Sequence, residues 1–532
     1  MPGSARPGAV WLAIVAVAVA MAVPLAVNPR LHLRGDGLSN AAIAQAILRH
    51  GLPPPDPYLA GQPLHYHWAY NAAAVGVAAL LGLDPLAVMV WSGPLSLAAL
   101  LAGVVWLSRH LAGGRLGGSQ AVLAVFLATF ALNGWGWLAL LGRAAVAGAS
   151  LEAALNQGVH AYLRSVVAGY SDLLGFLATK ALVATSFAWN MAFGMLALAA
   201  LVAWLEGGRW RHAAGFAVAA ALAAYANLFV GALLLALVGA GMAALAVACR
   251  RRREPEQARR PLIALAMAVA AGLAVAPYVW VTTAGPMARE SLLRVAAPDE
   301  AHVLGLGVGL LPLWVAAALA GRLRPHGPIE RLVAFVGIGF AAVFLLTRVV
   351  DEVEIKLGFV VAVMLAAWVA GRAGGELAPR RRRLLWLLAW SCVPTTVLGL
   401  VAYARAPEPA RATPDEVAVL ERIRREAPLD AVVVWADERA TLVPPIAWRD
   451  LYVPGILGFH RAARCDRALW RRRWDLMQRM RAEGNEIEVL TAIHRELRRP
   501  IVLITRGGTP SPAPALRLLG EAGELRAWRF EP

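Results

Sequence analysis

The chain has 532 residues, 59% of them hydrophobic and only 16% charged, with a formal net charge of +17. Soluble domains carry about 25% charged residues, so a water-soluble fold is excluded, and a bilayer is the solvent in which this much apolar surface is stable. In a soluble protein the positive charge would suggest a nucleic-acid partner. Here it falls in short loops between apolar blocks, so no nucleic-acid contact is expected.

The first apolar block, 9–28, follows Arg6 and mimics a signal peptide, but its small-residue run continues into Pro29 and Arg30 without a cleavage site. It is read as the first span. Further spans are expected at 86–107, 121–141, 173–204, 213–249, 262–281, 303–320, 329–347, 357–370 and 384–403. As one helix the block 213–249 would be about 55 Å long, nearly twice the hydrocarbon core of about 30 Å. Arginines stand at both of its ends (Arg209 and Arg211 before, Arg250 to Arg253 after). Two spans turning near Asn227 satisfy both facts, giving about eleven transmembrane helices.

Loops on the side of Arg6 are rich in Arg and poor in acids, whereas the alternate loops are nearly balanced. The positive-inside rule therefore predicts a cytoplasmic N-terminus and an extracytoplasmic C-terminal part, in the plasma (inner) membrane. The apolar stretch 68–83 is left over. Counting it as a span would put the basic loops around Arg109 and Arg115 outside, so it is read as a re-entrant or juxtamembrane helix in a first external loop, 29–85. The three cysteines, Cys249, Cys392 and Cys465, have no metal or disulfide spacing.

Composition changes after Tyr403. Thr413-Pro414-Asp415-Glu416 is a capping box with Pro at the first helical position, opening a helix to about Glu426. A strand is expected at 431–435, an Arg-rich amphipathic helix near 468–482, and a strand at 501–505. The fold class predicted is thus an α-helical polytopic membrane protein, 1–405, with a small C-terminal extracytoplasmic α/β domain, 406–532.

The external segments hold the candidate chemistry. The first loop contains Arg34-Gly35-Asp36-Gly37, then Pro53-Pro54-Pro55-Asp56, then Pro63-Leu64-His65-Tyr66-His67-Trp68. A carboxylate flanked by glycines at the interface can deprotonate an acceptor hydroxyl. Asp36 reads equally as the cap of a helix starting at Leu38. His65, Tyr66, His67 and Trp68 can line a sugar site or form an interfacial belt, and His-x-His alone makes no metal site.

The lysines are the least expected feature, because 49 of the 51 basic residues are Arg. The exceptions are Lys180, about 10 Å into the fourth span, and Lys356, opening the tenth. A Lys ammonium is a point charge suited to phosphate and costly inside an apolar span. The other reading is that both snorkel to the surface. Around Lys356 runs Arg348-Val349-Val350-Asp351-Glu352-Val353-Glu354, a mixed-charge stretch that can bind a phosphorylated carrier or only pair with itself.

This order of parts resembles the GT-C superfamily of membrane glycosyltransferases, to which protein O-mannosyltransferases and lipid A aminoarabinose transferases belong. The resemblance lies in a first span, a long external loop opening with Asp36, Pro-rich text leading to Pro63-Leu64-His65-Tyr66-His67-Trp68, the late Glu354-Ile355-Lys356 element, and a closing extracytoplasmic domain. It implies inverting transfer of a sugar from a polyprenyl-phosphate carrier to a protein, lipid or polysaccharide acceptor outside the cytoplasm. Asp36 would be the general base. Lys180, Arg348 and Lys356 would hold the donor phosphate, and His65, Tyr66, His67, Trp68 and Glu354 would contact substrate. Family members often carry a second acidic residue or a His near the first, where this chain has Gly37 and Asn40, so neither a metal nor another cofactor is expected. The rival readings are a transporter or lipid flippase, against which stand the absence of an internal repeat and the one-sided placement of charges, and a structural subunit of envelope assembly.

Overall fold

The computed structural model describes residues 7–28, 36–147, 150, 152, 177–283, 293–321, 325–349, 355–373, 377–405, 412–455, 466–507 and 514–532. Chain contacts divide it into two compact units, each described by itself: Met1–His32, Val90–Pro277 and Leu293–Pro407 in the first, and Leu33–Met89, Tyr278–Leu292 and Glu408–Pro532 in the second.

The first unit is helical. Among the described residues eight helices are long and apolar enough to cross a bilayer, from Gly8–Val27 to Pro379–Arg405, and the chain is a multi-pass membrane protein. The expected turn at Asn227 is present. The helix Trp210–Ala226 ends on Asn227, and the same residue opens Leu228–Arg251, its side chain accepting from the Val230 amide at 3.2 Å. From the neighbouring helix Asn190 donates to the carbonyls of Ala223 and Asn227, so backbone groups freed by the turn are satisfied inside the bundle.

Three expected spans are broken rather than continuous. The stretch 121–141 is two helices, Gly118–Phe130 and Gly136–Ala147. The break between them is held by Thr395, whose hydroxyl donates to Gly134 O and accepts from Trp137 N. The stretch 303–320 is Glu300–Gly307 and Leu311–Ala320, and the two breaks meet where Asn133 N donates to Gly309 O at 2.8 Å. Of the stretch 173–204 the described part, from 177, is a short helix, Ala178–Leu182, and the long Ser186–Gly207, with Thr185 as its N-cap. A two-stranded antiparallel clip, β1 (Leu293–Val295) with β2 (Thr347–Val349), closes the unit.

The second unit is a mixed five-stranded sheet with helices on both faces. Its strands β3 (Val432–Trp435), β4 (Asp450–Leu451), β5 (Ile501–Arg506), β6 (Leu516–Ala522) and β7 (Leu525–Phe530) lie in the order β4-β3-β5-β7-β6. β3 is parallel to β4 and β5, and β7 is antiparallel to β5 and β6. The capping-box helix Pro414–Glu426 covers one face through Val419, Leu420 and Ile423. Arg467–Glu483 and Glu486–Leu497 cover the other through Met477, Leu490 and Ile493.

Residues of the first loop belong to this unit and enter both of its cores, Ala42 and Tyr58 on one face and Leu59 and Ala60 on the other. The loop also pairs with the short edge strand: Leu451 N donates to Pro57 O and Ala60 N to Leu451 O, both at 2.9 Å, which covers an otherwise open sheet edge. Arg473, 2% exposed, donates to Ala60 O and Tyr452 O and forks onto Glu496. The leftover apolar stretch is the helix Ala69–Leu81, 13 residues, or about 20 Å, and it packs against the first-loop helix Asp36–His50.

Candidate active site

In the first unit the chain's two lysines come together. Lys180 lies on the short helix Ala178–Leu182, before the break at Thr185 and not inside a continuous span. Its Nζ sits 5.1 Å from the centre of the Phe359 ring, and Lys356 Nζ sits 5.7 Å from that of Phe187. The two rings are fully buried and meet edge to face at 6.0 Å. Ring faces attract cations, so one aromatic pair positions two ammonium groups from helices 176 residues apart in sequence. Both lysines make other contacts as well. Below Lys356 a groove of about 280 Å³, lined by apolar side chains including Trp314, Ile338, Leu365 and Trp368, runs between the helices Pro328–Leu346 and Ile355–Ala373.

Arg348 stands on β2, the strand after the helix Pro328–Leu346, and much of its guanidinium is engaged. It donates to the carbonyls of Leu345, Thr347 and Ala297 and to the Asp299 carboxylate at 2.9 Å. Slight burial pushes the Asp299 carboxyl up, but the His302 amide and ring and then Arg348 outweigh it and hold the carboxyl at about 2. Arg348 thus ties the β1–β2 clip to the start of the helix Glu300–Gly307. Glu354 lies outside the described residues.

In the second unit Asp36 is half-buried in the first turn of Asp36–His50. Among the described residues the helix includes Asp36 and Gly37, ahead of the expected start at Leu38, and a carboxylate in a first turn is favoured by the helix dipole. The helix is buried on nearly every side from Gly37 to Ile47. Asn71 of the next helix donates to both the backbone and side-chain oxygens of Asn40, at 2.9 and 3.0 Å, which fixes the turn next to Asp36. Sequence reading passes over Asn71 and gives Asn40 no structural part, although two asparagines in apolar helices of one loop are a visible signal for such a lock.

The cluster His65, Tyr66, His67 and Trp68 stays in one place. Tyr66 stacks on His67 at 3.9 Å, and Trp68 meets Tyr278 edge-on at 5.2 Å. Tyr66 and Trp68 pack on Ile43, Ile47 and Leu64, so the cluster rests on the helix that carries Asp36. Two polar atoms here, His65 Nδ1 and Trp68 Nε1, are buried with no hydrogen-bond partner among the described residues. Burial pushes the His65 pKa down, so the ring is neutral at pH 7. Among the described residues no group of three or more His, Cys, Asp or Glu is placed to hold a metal.

The chain thus combines a multi-pass apolar bundle with broken spans, an arginine-bearing β1–β2 clip and an αβα unit. No family model and no curated protein sequence matches the chain. Among solved structures it is similar to ArnT from Cupriavidus metallidurans bound to undecaprenyl phosphate, with a TM-score of 0.57, 13% identity, and 97% of each chain covered. It is similar to the apo oligosaccharyltransferase of Archaeoglobus fulgidus, with a TM-score of 0.53 and 11% identity over 93% of this chain and 69% of that one. It is also similar to the arabinofuranosyltransferase AftD from Mycobacteria, with a TM-score of 0.56 and 15% identity over 100% of this chain and 40% of that one. At such low identity the likeness shows the fold.

Proposed function

We propose that the protein is an inverting glycosyltransferase that moves a sugar from a polyprenyl-phosphate carrier to an acceptor outside the cytoplasm, in the inner membrane with its N-terminus cytoplasmic. The observation that carries this reading is the pairing of Lys180 and Lys356 over Phe187 and Phe359, with an apolar groove beginning one to two turns below Lys356. Two ammonium groups above a greasy channel suit a phosphate whose lipid tail lies in the bilayer. As the glycosidic bond to phosphate breaks, charge builds on the leaving oxygen, and fixed cations stabilise that charge more than the ground state.

Asp36 is the base in this reading and takes the proton of the acceptor hydroxyl. Its helix is locked by Asn40 and Asn71, and preorganisation of this kind is what a general base needs. His65 and Trp68 offer unmet polar atoms to a sugar, Tyr66 and His67 offer ring faces, and Glu354, outside the described residues, is kept as a substrate contact. Arg348, held by Asp299 and by the carbonyls of Leu345, Thr347 and Ala297, is the third cation of the donor site in this reading. The fold is also that of ArnT bound to undecaprenyl phosphate, which supports a lipid-phosphate donor. No metal is needed in this scheme.

The test is transfer of radiolabelled sugar from polyprenyl-phosphate donors by the purified protein in lipid, with and without a chelator. Asp36→Asn is expected to lower kcat about 10²- to 10⁴-fold, the usual weight of a general base. Lys356→Met is expected to lower kcat/KM about 10²-fold. Full activity in Asp36→Asn would move the base elsewhere, a chelator-sensitive rate would put a metal in the site, and wild-type transfer unaffected by Lys356→Met would overturn the donor assignment.

A further inference from the structure

A cavity of about 620 Å³ lies in the first unit among three helix ends: the C-termini of Pro85–Leu111 and Ser186–Gly207 and the N-terminus of Trp210–Ala226. Phe187 of the lysine pair and Glu206 of this cavity stand on one helix, 19 residues or about 28 Å apart. The cavity is therefore about one hydrocarbon thickness away from the lysines, at the face where the arginine-rich loops lie.

Its charges do not balance internally. The Glu206 carboxylate is taken by His110 Nδ1 at 2.5 Å. Arg109, Arg209 and Arg211 also line the space, exposed and without a carboxylate partner among the described residues. The carbonyls of Leu205 and Glu206 that end the helix are claimed by Arg260, at 2.8 and 2.7 Å, so they do not neutralise these arginines. Trp106 sets the wall, touching the rings of His110 and His212 at 6.2 Å each. His212 Nδ1 is buried there with no hydrogen-bond partner among the described residues. No side chain caps the N-terminus of Trp210–Ala226, which adds the positive end of a helix dipole.

We propose that this cavity is a second anion site that binds a phosphate group, carried by a membrane lipid headgroup or by a free phosphate compound. Guanidinium forks match phosphate oxygens, and the unmet imidazole nitrogen supplies a further contact within a fixed aromatic wall. Nothing in it depends on the transfer reaction at the opposite face.

The test uses the full chain in mild detergent. Native mass spectrometry measures retention of phosphatidylglycerol against phosphatidylcholine, and calorimetry measures binding of inorganic phosphate. Wild type is expected to prefer the anionic lipid, and Arg109→Gln/Arg211→Gln to lose at least about tenfold in affinity, the weight of one lost charge-assisted contact. His212→Phe keeps the ring contact with Trp106 and is expected to weaken binding in the same direction, and thermal melting of each variant checks the fold. A loss confined to phosphatidylglycerol identifies the headgroup as the ligand, and a loss of inorganic phosphate as well identifies the free anion. An unchanged double variant, a wild type without preference for either probe, or an equal loss in the control Arg250→Gln/Arg251→Gln would overturn the assignment.

Discussion

Asp450 is the residue whose replacement tests how the first loop is held. It is 1% exposed and accepts from Arg49 of the first-loop helix at 2.7 Å and from Arg499 at 2.7 Å, with His50 at 3.6 Å. Burial alone would push its carboxyl up; the His50 contact and the charges of Arg49 and Arg499 outweigh burial and hold it far below the usual range. In Asp450→Asn the Arg49 guanidinium, 8% exposed and already unmatched at Nε and Nη1 among the described residues, loses its carboxylate. An uncompensated buried cation costs about 3–5 kcal/mol, against a typical domain stability of about 5–15 kcal/mol. Hydrogen exchange of the amides in Asp36–His50 is expected to speed up by about 10²-fold or more, since about 1.4 kcal/mol is tenfold. Arg49→Met in the same chain removes the stranded charge and is expected to restore part of the protection. The folded carboxyl titrates below its unfolded value of about 3.9. The stabilisation is therefore complete above about pH 4 and is lost as the pH falls through the folded value. Exchange rising by less than about fivefold in Asp450→Asn, or strictly additive effects in the pair, would refute the brace.

Gly93 faces the short helix that carries Lys180, and a methyl group there would overlap the carbonyl oxygen of Ala181. Gly93→Ala is expected to raise the KM for a lipid-phosphate donor several-fold although Gly93 bears no reactive group, and unchanged kinetics would detach that helix from donor binding. Trp68→Phe removes a buried donor that has no partner among the described residues, so thermal melting is expected to hold steady or rise slightly and acceptor kcat/KM to fall several-fold; unchanged kinetics would detach Nε1 from the sugar. Asn227→Ala removes the side-chain N-cap of Leu228–Arg251 and is expected to cost about 1 kcal/mol, read as a lower melting temperature in detergent. Lys356→Arg keeps the charge but replaces a point ammonium with a wide planar fork, and it is expected to retain less than about a tenth of the wild-type kcat/KM; full activity would show that charge alone suffices.

Much of the fold is legible because strong local signals agree. Apolar length marks the spans, flanking arginines mark the turn at Asn227, and Thr413 with Glu416 forms the capping box as the residues imply. The breaks escape such reading because a window of hydropathy averages over them. Asn133, Gly309 and Thr395 are each unremarkable in sequence and gain meaning only when Asn133 meets Gly309 and Thr395 bridges Gly134 and Trp137. Thr185 was the visible exception, a helix-capping residue inside what reads as one span. The strands β4, β6 and β7 and the helix Glu486–Leu497 are hidden for a different reason: β4 has two residues, and its pairing is completed by Pro57 and Ala60, almost 400 positions earlier.

The site divides along the same line. The rarity of lysine is a property of composition, so Lys180 and Lys356 stand out without any structure, and only Phe187 and Phe359 are needed to explain how they are placed together. The first loop is the opposite case. Its acidic residue, histidines and aromatics are visible in sequence, but what gives them a fixed geometry is remote: Asn71 on Asn40, Asp450 on Arg49, Arg473 on Ala60. A loop of more than fifty residues held only at its two ends would pay a large ordering cost. Shared cores with the C-terminal sheet remove that cost in advance. The physical role this gives the αβα unit is to hold the segment that carries Asp36 in one conformation.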